Sequence, residues 1–423
     1  MEKLTPLLWN SNHPRNFWRC QPDFPAEIWA EAIRRALPVL GLPETKDIES
    51  VLEWTLGEGQ FGPNRYHLGL LHRVYYQFKP LIPRTLIRLL RQMYNGSRGK
   101  EFLLNWPIEK RFVQFQWEII RQGLIISGQN EINFRYFWPE GKNFAFVLTH
   151  DIESAKGQRL VPILADMEEA LGFRSLFNFV PELYPLDQGL IKDLRQRGFE
   201  IGIHGLKHDG KLFNSYNGFS QRAKKINRYL KDFRSTGFRS PLTLRNPAWM
   251  QRLEMDYDLS FFDTDPYEPM PGGVMSIWPF TIGHFTELPY TLTQDFVLFN
   301  LLGETSPRIW LEKICFLEKY HGMALVNVHP DYSSRGASKQ IYESFLQKIK
   351  ERGGYWHALP GEVASWWKNR ADLNNDYSGN DQKIATAKIA LNGDDIEITI
   401  CSEPVNPVLH TKTLLAPLKG SIC

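Results

Sequence analysis

The sequence contains few cysteines. Only four occur among its 423 residues, namely Cys20, Cys315, Cys401 and Cys423. They lie far apart and none is in a C-x2-C spacing, which excludes zinc-knuckle and iron–sulfur motifs. We expect all four to be reduced thiols, because a cytosol keeps cysteines reduced.

Long apolar runs and a strong net charge are also absent. No stretch of about 18 apolar residues occurs, so the sequence predicts no membrane-spanning helix. Residues 1–12 lack the apolar stretch and cleavage site of a secretory signal, and we expect a cytoplasmic protein. The 50 basic and 47 acidic residues leave a net charge of +3. This surplus is too small to form a nucleic-acid-binding surface, so no nucleic-acid partner is expected.

What the sequence does contain is typical of a folded chain, with 43% hydrophobic and 13% aromatic residues. Its length predicts two or three domains. Helical runs at 26–37 and 85–93 indicate a helical beginning, and an alternating run at 396–400 indicates a late strand after a polar segment. The predicted division is a mainly helical N-terminal region at residues 1–140, an α/β barrel at 141–370, and a linker with a small C-terminal β appendage at 371–423.

The middle of the chain alternates short β-rich runs with helical patterns, which is typical of a parallel α/β fold. Most of these runs are apolar without alternation, as expected of strands buried on both faces. About seven strands with crossover helices predict a distorted (β/α)7-type barrel, and a flat doubly wound sheet is the alternative. The predicted strands are 144–149, 175–180, 200–203, 237–239, 259–262, 324–328 and 354–359.

Two carboxylates follow the first of these strands. Asp151 and Glu153 lie directly after residues 144–149, at the end of the strand that forms the catalytic face in α/β barrels. One carboxylate can bind a metal while the other acts as a base. The alternative is a helix cap with solvated acids.

Two histidines follow the strand at 200–203. His204 and His208 form an H-x3-H motif, and two such imidazoles reach one metal ion if the segment turns helically. A histidine pair also arises by chance in a chain with 11 histidines. The position of the motif at the end of a strand is therefore what favours a metal site over a chance pair.

Arg239 and His329 complete the pattern, at the ends of the strands at 237–239 and 324–328. Isolated Arg and His residues usually have structural or surface roles. Here acids, histidines and an arginine all lie where successive strands end, which packing alone does not explain. The sequence therefore predicts an active site on one rim of the barrel.

This ordered set of motifs resembles the polysaccharide deacetylase (NodB homology, carbohydrate esterase 4-like) family. The shared features are an aspartate at the first strand end, H-x3-H at the second, R-x-P at the third and a final strand that ends in His. The resemblance covers residues 141–368. It implies a distorted barrel, one divalent metal ion, for which we expect zinc, and hydrolysis of non-peptide amide bonds, mostly N-deacetylation of N-acetylated sugars.

The resemblance also implies a role for each residue of the pattern. Asp151 matches the catalytic base, His329 the general acid and Arg239 the residue that orients the base. The implied metal ligands are Glu153, His204 and His208.

Three further residues are predicted to support the site. His150 is adjacent to the base, and its imidazole is expected to be able to replace a missing carboxylate ligand. Asp263 and Asp265 follow the strand at 259–262, and we expect one of them to pair with His329 and hold it protonated. The alternative for these two acids is an ordinary turn rich in Asp and Pro.

The sequence departs from the family pattern at four positions. His150 and Leu242 stand where relatives often have an aromatic residue, and the other two departures lie in the metal-ligand motifs. Glu153 stands where relatives have Asp, and Gly205 stands where Ser or Thr follows the first histidine. Two other hypotheses therefore stay open beside deacetylation of a carbohydrate or small amide. One is a hydrolase of cyclic imides or ureides on the same site, and the other is a catalytically silent carbohydrate-binding or assembly protein.

Overall fold

A computed structural model describes most of the chain, and the predicted helix at 85–93 lies outside the described residues. None of the helices in the described part is both long and apolar enough to cross a membrane. The described residues are 8–69, 102–371, 377–378, 382–383, 385–393, 395–401 and 411–413.

The described part of the N-terminal region, residues 8–69 and 102–140, is mainly helical, as predicted. In the second helix, Trp29, Ala32, Ile33 and Ala36 are buried, and this spacing places them on one face of the helix. That face packs against the long fourth helix. The elements are α1 (Pro14–Trp18), β1 (Cys20–Gln21), α2 (Ala26–Ala36), α3 (Ile48–Thr55), α4 (Arg111–Ser127) and β2 (Glu131–Arg135).

A curled sheet of mostly parallel strands follows, which confirms the distorted (β/α) barrel. The order of its main strands is β10-β3-β4-β5-β6-β7-β9-β8, and β11 pairs beside β3. All nine residues of β3 are buried, as expected of a strand covered on both faces. The strands are β3 (Phe144–Ile152), β4 (Leu176–Phe179), β5 (Glu200–His204), β6 (Gly237–Arg239), β7 (Tyr257–Asp258), β8 (Phe280–Ile282), β9 (Phe285–Glu287), β10 (Met323–Val328) and β11 (Tyr355–His357).

Helices cover the outside of this sheet. Ser154 caps the first of them, since its Oγ accepts a hydrogen bond from the N–H of Gly157 at 2.8 Å. The cap fixes the backbone immediately after Glu153. The helices are α5 (Ala155–Leu171), α6 (Gln188–Gln196), α7 (Tyr216–Asp232), α8 (Pro247–Met250), α9 (Arg308–Lys319), α10 (Pro330–Ser333), α11 (Gly336–Arg352) and α12 (Pro360–Ala371).

A short irregular segment, rather than a full strand, closes the barrel. Leu292 forms a parallel bridge with Val326 of β10, and Tyr290 forms one with Phe262. Segment 290–292 therefore joins residue 262, which follows β7, to β10 on the other side of the sheet.

The predicted strand at 259–262 is wrong, because the strand there is β7, two residues earlier. Side-chain carboxylates take the place of backbone acceptors for the N–H groups of residues 260 and 261: Asp258 accepts hydrogen bonds from the N–H and Oγ of Ser260. Glu287 accepts one from the N–H of Phe261 at 3.1 Å. These buried acids end the strand, and a run of apolar residues does not reveal them.

The two ends of the chain share a second sheet. Strand β2 pairs antiparallel with β14 (Thr386–Asn392) on one side and with β1 on the other. Strands β15 (Asp395–Cys401) and β16 (Thr411–Thr413) continue the sheet, while β12 (Tyr377–Ser378) pairs with β13 (Gln382–Lys383). The predicted β appendage is thus an extension of a strand from the N-terminal region. The division of the chain at residues 140 and 370 stays a prediction.

The cysteines differ from one another. Cys20 and Cys401 are free, whereas Cys315 is disulfide-bonded. The prediction of four reduced thiols is therefore wrong for Cys315, and sequence spacing gives no signal for this bond.

The cytoplasmic location stays a prediction.

A buried ion pair attaches the N-terminal region to the barrel. Glu58 accepts hydrogen bonds from Nε of Arg245 at 2.7 Å and from its Nη2. It also accepts one from the N–H of Gly273 at 2.8 Å. Both side chains of the pair are almost fully buried, and Arg245 also lies 4.6 Å from the ring centroid of Phe262. The glycine-rich segment 57–62 is thereby fixed against the loop that follows β7.

Glu58→Gln is expected to lower the free energy of unfolding by about 3–5 kcal/mol, because it leaves the Arg245 guanidinium buried without a counter-charge. Urea unfolding measures the change. The double variant Glu58→Leu/Arg245→Met removes both charges and is expected to lose less stability. A Glu58→Gln chain as stable as the unaltered protein would contradict the importance of this pair.

Candidate active site

The barrel brings the six predicted site residues to the carboxyl ends of its strands. Three of them belong to strands: Asp151 lies near the end of β3, His204 is the last residue of β5 and Arg239 is the last residue of β6. Glu153 and His329 immediately follow β3 and β10. His208 reaches the same place from the loop after β5, where its ring centroid lies 5.2 Å from that of His204.

Glu153, His204 and His208 form a compact group of possible metal ligands. One ligand atom from each lies within 4.8 Å of the other two. Oε1 of Glu153 is 2.7 Å from Nε2 of His208 and 3.5 Å from Nε2 of His204. Burial disfavours the charged form of Glu153, but the nearby histidines outweigh this effect and hold its pKa well below the usual range.

The protonation of His204 leaves one of its nitrogens available for a metal. Its Nδ1 lies 3.1 Å from the carbonyl oxygen of Arg239, and a carbonyl only accepts, so Nδ1 carries the proton. In the neutral imidazole, the form that binds a metal, Nε2 is then the unprotonated nitrogen. It is buried and makes no hydrogen bond within the described part of the chain. A buried acceptor aimed at a carboxylate oxygen and a second imidazole fits a divalent cation.

The loop from His204 to His208 is not helical, so the helical explanation of the H-x3-H spacing is wrong. Gly205 has φ of +61° and His208 has φ of +50°. Two left-handed residues turn the chain back and place both imidazoles on the same side. A Cβ at position 205 would lie 2.4 Å from two ring atoms of Pro241. The Ser or Thr of the family pattern does not fit this backbone, which accounts for Gly205.

Gly205→Ala is expected to destabilise the protein by more than about 1 kcal/mol, because it adds both backbone strain and a clash with Pro241. Gly128→Ala is the matched control, since Gly128 has a similar φ of +67° with no atom within 4 Å of an added Cβ. Urea unfolding of both variants separates the clash from the strain. Equal losses in the two variants would remove Pro241 from the explanation.

Asp151 accepts hydrogen bonds on both carboxylate oxygens. Nδ2 of Asn178 donates to Oδ1 at 3.0 Å, and Nδ2 of Asn327 donates to Oδ2 at 2.8 Å. Nη1 of Arg239 also lies 3.3 Å from Oδ1. Burial raises the pKa of Asp151, but Arg239 and two nearby histidines outweigh it and hold the pKa below the usual range.

The sequence prediction missed the two asparagines. Asn178 lies in β4 and Asn327 in β10, one strand on either side of β3 in the sheet. Both lie near the ends of predicted strands, and a polar residue inside an apolar run is the signal that was available.

Arg239 is fixed by partners from three strands or loops. Its Nε donates to the carbonyl of Leu259 at 2.9 Å. Its Nη1 lies 2.9 Å from Oγ1 of Thr149 and 2.6 Å from Oδ1 of Asn327. The guanidinium is therefore held rigidly beside Asp151, in the place from which it can orient that carboxylate.

His329 is held by Asp295, another residue that the sequence prediction missed. Nδ1 of His329 lies 2.7 Å from Oδ1 of Asp295, whose Oδ2 accepts from the backbone N–H of His329 at 2.8 Å and from Oγ of Ser333. Nε2 of His329 lies 3.8 Å from Oε1 of Glu153. Burial alone would lower the pKa of His329, but Asp295 reverses this effect and the pKa is raised to about 10. The imidazole is thus a cation at neutral pH.

The prediction that Asp263 or Asp265 pairs with His329 is wrong. Asp263 forms a buried ion pair with Lys313, and burial raises its pKa to about 6 although Lys313 opposes the shift. Asp265 accepts a hydrogen bond from the N–H of Tyr267 at 2.7 Å. Asp263 is thus paired with a lysine of α9 and Asp265 is bonded within its own loop, and the carboxylate that pairs with His329 is Asp295 instead.

The prediction that His150 can replace a metal ligand is also wrong. Neighbouring residues of a strand point to opposite faces, so His150 faces away from the side occupied by Asp151. Its Nε2 lies 2.7 Å from Oε1 of Glu168, its Nδ1 lies 2.9 Å from the carbonyl oxygen of Val328, and its ring stacks on Phe177. Both ring nitrogens of His150 therefore have partners on the face of the sheet opposite the candidate site, and neither can reach the metal ligands.

Comparison with known proteins gives structural neighbours only. No family model matches the sequence, and no curated protein is significantly similar to it. Three similar structures each cover 55% of this chain and 93% of their own. They are proteins described as a polysaccharide deacetylase from Mycobacterium smegmatis (TM-score 0.45, 16% identity), Puue allantoinase (0.44, 14%) and a polysaccharide deacetylase from Pseudomonas aeruginosa PAO1 (0.43, 15%). At these TM-scores and identities the similarity assigns no activity to this chain.

Proposed function

We propose that this protein is a metal-dependent hydrolase of non-peptide C–N bonds, and that it removes the acetyl group from an N-acetylated saccharide. The observation that carries the proposal is the convergence of three possible ligand atoms within 4.8 Å beside a fixed carboxylate and a protonated imidazole. Glu153, His204 and His208 would hold the cation.

The chemistry of these three donors favours zinc. Two imidazoles and one carboxylate are a common ligand set of catalytic zinc, which keeps a further position open. When bound, such a cation acidifies water and polarises a carbonyl oxygen. Nε2 of His204 is buried and makes no hydrogen bond among the described residues, which supports a metal at this place, since a buried polar atom without a hydrogen bond is otherwise unfavourable.

The remaining residues supply proton transfer. Asp151 is kept ionised and oriented by Asn178, Asn327 and Arg239, so its role is to take a proton from the attacking water. His329 is held protonated by Asp295, so its role is to donate to the departing nitrogen. Without that proton the tetrahedral intermediate returns to the amide.

The proposal is tested by a metal analysis combined with a product screen. The purified protein is expected to contain one equivalent of zinc or to bind it with high affinity, and to release acetate from N-acetylated amino sugars. Release of ammonia or of a ring-opened product from cyclic ureides, without acetate release, would instead assign the alternative substrate class. A chain that binds no divalent metal would be catalytically silent, and the proposal would be wrong.

A further inference from the structure

A cavity lies at the opposite end of the barrel from the candidate active site. It has a volume of about 340 Å³, which is within the range of small-molecule sites. Its walls come from the N-terminal region, the hairpin between β8 and β9, and the last turn of α12. That hairpin precedes β9, whereas the candidate site residues lie where strands end, so the cavity is separate from the metal-ligand group.

The charges that line this cavity are of one sign. Arg19, Lys368 and Arg370 contribute to its wall. No Asp or Glu is among the described residues that line it. The other polar side chains of the wall are seryl and threonyl hydroxyls, the imidazole of His284, and the amides of Asn12, Asn16 and Gln116. The cavity is therefore suited to an anion rather than to a cation or an apolar ligand.

Arg370 is the buried part of this cationic wall, with 2% of its surface exposed. Its guanidinium donates to the carbonyls of Tyr136 at 2.9 Å, Phe17 at 2.8 Å and Arg135 at 2.7 Å. Carbonyls accept hydrogen bonds but do not neutralise a charge, and three such bonds leave part of the five N–H groups of an arginine for another acceptor. Burial, together with Arg19 and Arg135, lowers the pKa of Arg370 to about 9. An anion in the cavity would relieve this unfavourable environment.

Gln116 adds a second requirement on the ligand. The residue is 1% exposed, and its Oε1 makes no hydrogen bond within the described residues. A buried amide oxygen of this kind is satisfied by an O–H or N–H donor. A ligand that combines negative charge with a hydroxyl hydrogen would therefore suit both the cations of the wall and Gln116.

We propose that this cavity binds a small polyvalent oxyanion that also carries an O–H donor. Arg370 and Lys368 would balance its charge, and Gln116 would accept its hydroxyl hydrogen. Hydrogen phosphate and hydroxycarboxylates such as citrate share this chemistry, whereas sulfate carries the charge without the donor. Charge-assisted hydrogen bonds from a guanidinium favour such anions strongly.

Isothermal titration calorimetry on the full-length protein tests the proposal, with hydrogen phosphate, citrate and sulfate as probes at constant ionic strength. We expect saturable binding of one equivalent of phosphate or citrate, and the tighter of the two identifies whether the natural ligand carries a phosphoryl or a carboxylate group. Sulfate should bind several-fold more weakly because it leaves Gln116 Oε1 unsatisfied. Absence of saturable binding of both phosphate and citrate overturns the proposal.

Two variants locate the site. Gln116→Glu is nearly isosteric and adds a negative charge to the wall, and Lys368→Met removes an exposed positive charge. Each is expected to weaken binding about tenfold or more, the effect of losing one charge-assisted interaction. Lys350→Met, an exposed lysine on α11, is the control and should bind as the unaltered protein does. Equal affinity in all variants would place the anion elsewhere and overturn the proposal.

This test is independent of the metal site. The titrations are repeated after removal of divalent metals and in the His208→Ala variant. Anion binding that persists in both supports the cavity, even if the protein proves to have no hydrolase activity. Anion binding that disappears with the metal would show that the anion binds at the candidate active site, and the proposal would be wrong.

Discussion

His208→Ala is expected to lose its bound divalent metal while the chain remains folded. The substitution removes one of the three proposed protein ligands. His208 lies in a loop, so the packing of the barrel core does not depend on it. Loss of a residue that merely supports a ligand weakens metal binding by about 10- to 100-fold, so loss of a ligand itself should exceed that range. Elemental analysis after dialysis against a metal buffer measures the occupancy, and circular dichroism measures the fold.

Matched variants make this result specific. His284→Ala removes an exposed histidine from the hairpin between β8 and β9 and should leave the metal content unchanged. Glu153→Ala should lower occupancy far more than Asp151→Asn, because the first is proposed as a ligand and the second as a base. The opposite ranking would exchange these two roles. Full metal occupancy in both His208→Ala and His204→Ala would disprove the ligand assignment.

His329→Ala is expected to lower kcat by about 10²- to 10⁴-fold, the usual effect of removing one positioned proton donor. Metal content should not change, because His329 is not among the proposed ligands. Substrates whose leaving nitrogen needs less protonation should lose less rate than ordinary amides. Steady-state kinetics with both substrate types and elemental analysis of the same preparations measure these effects.

The control for this prediction is His357→Ala. His357 ends β11 and its Nδ1 lies 3.0 Å from the carbonyl oxygen of Phe146, so its role is structural. Its loss should lower stability and leave kcat close to that of the unaltered protein. Equal rate losses for good and poor leaving groups in His329→Ala would return His329 to a structural role.

The sequence predicted the barrel and the meeting of six side chains because both depend on local signals. Apolar runs mark buried strands, and parallel strands bring their carboxyl ends to one rim whatever the details of packing. Asp151, His204 and Arg239 therefore had to lie near one another once their strands were recognised. The strand at 259–262 was misplaced because buried carboxylates from Asp258 and Glu287 end the ladder there.

The partners of these residues were not predictable by the same means. Asp295 is the N-cap of the π-helix Phe296–Leu301 and follows no predicted strand, so nothing nearby in the sequence connects it with His329. Asp263 and Asp265 were chosen instead because they follow an apolar run. The backbone that brings His208 to His204 depends on left-handed φ angles at positions 205 and 208, which an H-x3-H spacing does not specify.

The pairing of β2 with β14 has a consequence for synthesis of the chain on the ribosome. The partner of β2 lies roughly 250 residues further along the chain, and at about 5–20 residues per second it takes on the order of tens of seconds to emerge. During that time the hydrogen-bonding edge of β2 that later pairs with β14 has no neighbour, and the apolar side chains of Ile132 and Phe134 lie on the same strand. Unpaired edges of this kind join other chains. Nascent or truncated chains that end before residue 386 should therefore aggregate or need a chaperone, even though every residue of the candidate active site has already been made.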